Sequence, residues 1–186
     1  MLNLPNFLTL IRIVLIPFFL VLLASQLYFD ALLVFILGGV TDAFDGFIAR
    51  RMNQKTSLGA ILDPVADKLL LMSSFIMLGM MGGIPLWLVV LVVSRDTVIL
   101  FGYVAISFLL DERLEVQPTI AGKLSTVFQL VTVGVVLLML ARSQLLESWL
   151  DDALVYLTAA VTVISGVQYL YLGLLRLQNR VASRRD

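Results

Sequence analysis

Six long apolar stretches separated by short polar breaks constrain this chain more than any other feature. They run over 6–25, 30–50, 60–81, 85–109, 119–141 and 153–176, and a helix needs roughly 20 such residues to cross a bilayer. Backbone groups in hydrocarbon must be satisfied within the segment itself, which leaves the α-helix as the spanning form. With 60% of its 186 residues hydrophobic and 14% charged, the chain falls outside the usual composition of a soluble domain. The expected fold is all-α, a polytopic membrane protein of six transmembrane helices.

The breaks carry turn chemistry: Asp30 after the first stretch, Asn53 to Ser57 after the second, and Gly82-Gly83-Ile84-Pro85 before the fourth. Asp111 to Pro118 precedes the fifth, and Glu147 to Asp152 the sixth. No separate soluble domain, low-complexity segment or strong repeat is visible, so one membrane domain over 1–186 is expected. The first stretch lacks a basic leader and a small-residue cleavage site, which predicts a retained helix. Met1 to Asn6 are expected along the membrane interface as a short amphipathic segment.

Thirteen basic and thirteen acidic residues cancel, so the whole-chain balance says nothing about nucleic acid or anionic partners; no nucleic-acid partner is expected. The distribution is more informative. Arg50, Arg51, Lys55, Arg113, Lys123, Arg176, Arg180, Arg184 and Arg185 fall on the side of the two termini, and Arg142 alone on the other. Basic loops stay inside, which places both termini in the cytoplasm. Tyr28, Trp87 and Trp149 are then expected at the outer interface.

The absence of His and Cys excludes imidazole bases and zinc–thiolate sites. Acid–base or metal chemistry must therefore come from carboxylates, and the chain carries a cluster of them: Asp42-x2-Asp45-Gly46-x2-Ala49-Arg50-x8-Gly59-x3-Asp63-x3-Asp67. At 100° per residue, Asp42, Asp45, Gly46, Ala49 and Arg50 share about 140° of one helix face. Gly59, Asp63 and Asp67 stack at i, i+4 and i+8 on the next helix. Ionised carboxylates in a membrane are costly and demand a cationic partner. Four carboxylates, with hard oxygen donors, suit Mg²⁺, Mn²⁺ or Ca²⁺ and suffice for two ions with a shared ligand, the usual clamp for phosphoryl transfer. Arg50 adds a planar donor fork for phosphate, and Gly46 and Gly59 leave room for close approach.

These residues match, at every fixed position, the signature of the CDP-alcohol phosphatidyltransferase family, which the chain resembles over about its whole length. The resemblance implies six transmembrane helices around a polar cavity facing the cytoplasm, in the bacterial inner membrane, commonly as a homodimer. It implies that Asp42, Asp45, Asp63 and Asp67 hold two divalent cations, Mg²⁺ or Mn²⁺, with Asp67 also the catalytic base. Gly46, Arg50 and Gly59 would hold the CMP part of CDP-diacylglycerol. The implied reaction transfers the phosphatidyl group to an alcohol with release of CMP, a step of phospholipid biosynthesis.

Three further stretches are similar to the branch making phosphatidylglycerophosphate or cardiolipin: Leu4-Pro5-Asn6-x2-Thr9-x2-Arg12, Leu62-Asp63-Pro64-x-Ala66-Asp67-Lys68 and Gly122-Lys123-x2-Thr126. Acceptors of that branch carry a phosphate, which would suit Arg12, Lys68, Arg95 and Lys123. Arg12 and Lys123 also fit snorkelling to head groups, and Arg95 fits a structural ion pair with a carboxylate on another helix. Ser94-Arg95-Asp96 departs from the Arg-Glu associated with bacterial phosphatidylglycerophosphate synthases toward the cardiolipin-forming type. Glycerol 3-phosphate is the favoured acceptor and phosphatidylglycerol the alternative. Acids inside a helix bundle also occur in divalent-cation transporters, but no comparable polar chain continues past Arg95 and Asp96 to the outer side.

Overall fold

The computed structural model describes the backbone of residues 4–52, 59–110, 119–142 and 148–183. Side chains are described over 10–41, at 66, and over 68–102, 119–142 and 152–175. The described residues form six α-helices: α1 (Leu4–Ala24), α2 (Tyr28–Met52), α3 (Gly59–Met80), α4 (Leu86–Leu110), α5 (Ile120–Ala141) and α6 (Ser148–Ser183). No strand occurs among the described residues.

Each helix buries one stripe and exposes another apolar stripe. On α1 the buried residues are Arg12, Ile16, Phe19 and Leu23, spaced at i, i+4, i+7 and i+11, while Val14, Phe18 and Val21 are exposed in antiphase. A water-soluble helix would turn a polar face outward. Here the exterior is apolar as well: Met80, Phe101, Ile120 and Leu174 are all exposed. Contiguous apolar surface of this kind belongs against lipid or a partner.

The turns are closed by named backbone bonds. At the end of α1, Leu27 N donates to Leu22 O at 3.0 Å and Gln26 N to Leu23 O at 2.9 Å, with Gln26 left-handed at φ 60°. This is the Schellman arrangement. The same pattern ends α3, where Gly83 N reaches Leu78 O at 2.9 Å and Gly82 N reaches Gly79 O at 3.1 Å. There the left-handed residue is Gly82, at φ 77°, which has no Cβ to strain.

Two boundaries differ from expectation. Asp30 is not a break: the chain turns at 25–27, and Asp30 sits in the first turn of α2, where a carboxylate favours the positive end of the helix dipole. Residues from Leu4 onward already belong to α1 instead of forming a separate segment. α6 also outruns its apolar stretch at both ends, because a helix can continue beyond the apolar part that a bilayer would accept.

Side-chain contacts fix the directions. Ser125 meets Thr162 at 3.2 Å and Thr132 meets Thr158 at 2.7 Å, so α5 and α6 are antiparallel. Trp87 stacks on Tyr156 with centroids 6.0 Å apart and Arg95 bonds Ser165, so α4 and α6 are parallel. α1 packs on α2 and α3, and α5 packs on α2, α3 and α6. The apolar core gathers at one end of the bundle, from Phe19, Leu23 and Phe35 through Phe75 and Leu78 to Ile84, Leu88 and Leu137. Arg12, Arg95, Asp96, Ser125 and Ser165 are also buried, and they lie nearer the opposite end.

Candidate active site

The acid-bearing helices α2 and α3 touch at Gly38, where an added Cβ would lie 3.1 Å from Leu70 Cδ2. Their relative direction follows from the connection, residues 53–58. Gly38 is about 21 Å from the end of α2 and Leu70 about 17 Å from the start of α3 at 1.5 Å per residue. A parallel arrangement would ask the connection to span nearly 40 Å, whereas seven virtual bonds reach about 25 Å at most. The helices are therefore antiparallel.

Both halves of the signature lie on the connection side of this approach: positions 42, 45, 46, 49 and 50 follow Gly38 in α2, and positions 59, 63 and 67 precede Leu70 in α3. Positions 42, 45, 46 and 49 continue the helical face that Gly38 begins, and 67, 63 and 59 continue that of Leu70. Asp42, Asp45, Gly46 and Arg50 are on α2 and Gly59, Asp63 and Asp67 on α3; their side chains lie outside the described residues. The donor set offers only carboxylate oxygens, which fit hard divalent cations.

Among the residues expected at the acceptor, two come together. Lys68 Nζ on α3 donates to Asp96 Oδ2 on α4 at 2.8 Å, and Arg95 Nη1 donates to Asp96 Oδ1 at 2.5 Å. The Asp96 and Arg95 side chains are 1% and 7% exposed and Lys68 24%. Buried charge must be paired, and one carboxylate here serves two cations from two helices. The alternative of an ion pair for Arg95 is present, but its partner is the next residue and not a carboxylate on another helix, and the second helix contributes Lys68.

Arg95 is held further by α6. Its Nη2 donates to Ser165 Oγ, and its Cζ lies 5.5 Å from the centre of the Tyr169 ring, a cation–π distance. The Arg95 Nε is buried with no hydrogen-bond partner among the described residues. Tyr169 Oη in turn accepts from Thr119 N at 3.4 Å, while Thr119 caps α5 by accepting from Gly122 N at 3.0 Å. A Cβ on Gly122 would lie 2.8 Å from Tyr169 Oη, so this glycine is required by the approach of α6. Arg12 is buried on α1, and Lys123 is exposed on the first turn of α5, outside this cluster.

Asp96, Ser165 and Tyr169 were not among the residues expected at the site. Asp96 was visible only as the neighbour of Arg95. The spacing of Thr158, Thr162, Ser165 and Tyr169 along one face of α6 is the signal that points to the others.

An all-helical bundle with a carboxylate signature on two antiparallel helices defines a class, and the match to known proteins names it. The family model for CDP-alcohol phosphatidyltransferase matches residues 2–167, and the chain belongs to that family. It is 35% identical over 175 residues to a probable phosphatidylglycerophosphate synthase of Mycobacterium tuberculosis (strain ATCC 25618 / H37Rv), covering 90% of this chain and 79% of that one. It is 31% identical over 185 residues to the CDP-diacylglycerol–glycerol-3-phosphate 3-phosphatidyltransferase of Bacillus subtilis (strain 168), covering 91% and 94%. The Escherichia coli (strain K12) protein of the same name is 36% identical over 177 residues, covering 90% and 93%. Substrates of the family are CDP-diacylglycerol and an alcohol acceptor, and its members generally use divalent metals. It is a family of membrane proteins; here Ile120–Ala141 and Asp152–Leu175 are long and apolar enough to cross a membrane.

Proposed function

We propose that this protein transfers the phosphatidyl group of CDP-diacylglycerol to glycerol 3-phosphate, releasing CMP and forming phosphatidylglycerophosphate. The observation that carries the reading is the acidic signature on two neighbouring antiparallel helices, α2 and α3, which approach each other at Gly38 and Leu70. The relatives named for this reaction support the acceptor. So does the cluster of two cations on one carboxylate, whose surplus positive charge suits a phosphate-bearing acceptor better than a neutral alcohol.

In this mechanism Gly46 and Gly59 give the CMP moiety close approach to α2 and α3, and Arg50 binds its phosphates. Lys68 and Arg95, with Arg12 and Lys123 as further cations, bind the phosphate of the acceptor. Asp67 accepts the proton of the attacking hydroxyl. The new bond joins that oxygen to the lipid-side phosphorus, and the bond from phosphorus to the CMP oxygen breaks. Asp42, Asp45, Asp63 and Asp67 would hold two divalent cations, Mg²⁺ or Mn²⁺, which when bound supply charge neutralisation at the phosphates.

All six helices, the shortest of 21 residues, are at 1.5 Å per residue long enough for a ~30 Å hydrocarbon core. We read them as six spans around a polar cavity, with the signature end and both termini cytoplasmic by the Arg/Lys asymmetry, in a homodimer of the bacterial inner membrane. The test is CMP release by purified protein given CDP-diacylglycerol with either glycerol 3-phosphate or phosphatidylglycerol. Activity with the first is expected; activity with phosphatidylglycerol alone would reassign the protein to cardiolipin formation.

A further inference from the structure

We infer that Asp96 is a positioning residue for the acceptor: it holds Lys68 of α3 and Arg95 of α4 as one rigid pair of cations that meets the acceptor's phosphate. The inference rests on the transfer reaction proposed above and assigns a role to a residue outside the acidic signature.

Three features support it. First, the two carboxylate oxygens are divided, Oδ2 to Lys68 and Oδ1 to Arg95, so a single buried group sets the separation of cations on two helices. Second, the arrangement leaves one positive charge in excess among these three side chains, in a place where only Lys68 is appreciably exposed. An anion entering there gains charge-assisted bonds from cations that share a single carboxylate. Third, Arg95 is braced from α6 by Ser165 and by the Tyr169 ring, so its guanidinium is restrained on two sides.

Lys68 follows Asp67 directly in α3. The clamp on Lys68 therefore ties the helix carrying Asp63 and Asp67 to α4, and through Arg95 to α6. A merely structural ion pair would affect both substrates alike. A positioning role affects the acceptor selectively.

The experiment uses the full chain in detergent and measures CMP release while each substrate is varied, for wild type, Asp96→Asn, Asp96→Glu and Ser165→Ala. A second readout is the thermal stabilisation produced by glycerol 3-phosphate alone, since a ligand that binds the folded state raises its melting temperature. Asp96→Asn keeps the size of the side chain but gives one cation an amide N–H in place of an acceptor. It is expected to raise KM for glycerol 3-phosphate about tenfold, the effect of losing about 1.4 kcal/mol of binding, with KM for CDP-diacylglycerol changed less than about twofold. Asp96→Glu should recover most of the loss, and Ser165→Ala should raise the acceptor KM about threefold, the size expected for one lost hydrogen bond.

Unchanged acceptor KM and unchanged thermal stabilisation in Asp96→Asn would overturn the inference, as would an equal rise in both KM values. Should that variant fail to fold, Ser165→Ala decides, and an acceptor KM equal to wild type counts against the role. The wild-type arm tests the reaction separately. If wild type releases CMP only with phosphatidylglycerol, the acceptor assignment is wrong, and the same KM comparison made with phosphatidylglycerol still decides on Asp96.

Discussion

Gly38 of α2 and Leu70 of α3 approach so closely that a Cβ on the glycine would lie 3.1 Å from the leucine Cδ2. The contact lies one turn from Asp42 and three residues from Asp67, at a close approach of the two acid-bearing helices. An alanine would ask Leu70 to yield by a few tenths of an ångström, and a valine would push the helices apart. Gly38→Val is expected to lower CMP release by tenfold or more, since displacements of about 1 Å at a reacting centre can cost about 100-fold. Gly39, whose added Cβ would meet nothing within 4 Å, is the control: Gly39→Ala should retain wild-type turnover. Equal losses in the two variants would show that the contact does not set the site.

Gly79 makes a tighter approach. A Cβ there would lie 2.6 Å from Val89 Cγ2, in the apolar end of the bundle where α3 meets α4. Small residues at helix crossings allow this packing in membranes. Gly79→Ala is expected to destabilise the protein by about 1–3 kcal/mol, the usual cost of overpacking, read as a lower midpoint of thermal unfolding in detergent. The paired change Gly79→Ala with Val89→Ala should restore much of the loss.

The two Schellman turns offer a comparison within one molecule. Gln26 and Gly82 hold the same left-handed position, at φ 60° and 77°, and a side chain there costs about 1 kcal/mol. Gln26→Gly should therefore be neutral or raise stability by a few tenths of a kcal/mol, after the entropy of the added glycine is counted. Gly82→Ala should lower stability by about 1 kcal/mol. Thermal midpoints of the two variants, measured side by side, would expose any error in sign.

Removal of divalent cations with a chelator is expected to abolish CMP release, with recovery on adding Mg²⁺ or Mn²⁺. Asp67→Asn should lose turnover by about 100-fold or more, the usual contribution of a general base. A chelator-resistant activity, or near-normal turnover in Asp67→Asn, would contradict the roles proposed for the four aspartates.

The helices were legible because apolar length and turn residues are local properties. Each of the six expected stretches overlaps one helix. The errors have physical causes. Asp30 reads as punctuation because a charge interrupts an apolar run, yet a carboxylate in a first turn stabilises the helix it begins. α6 runs on to Ser183 because polar residues beyond an apolar stretch can stay helical. The spacing of the acidic residues predicts two helix faces, and their backbone does lie on α2 and α3, while their side chains lie outside the described residues. What spacing could not supply was the choice of partner across helices. Arg95 had Asp96 beside it in sequence, but nothing local to α3 or α6 says that Lys68 and Ser165 arrive at the same place. That depends on α4 being antiparallel to α3 and parallel to α6, which only the packed structure defines.

The apolar core fills the end of the bundle opposite the signature, with Phe19, Phe75, Leu78 and Leu88 wholly buried. With the six spans and the cytoplasmic orientation proposed above, a plug of that kind would leave water-soluble reactants a single doorway. New lipid would stay in the leaflet that supplied its precursor, its passage to the other leaflet being the work of a separate flipping step.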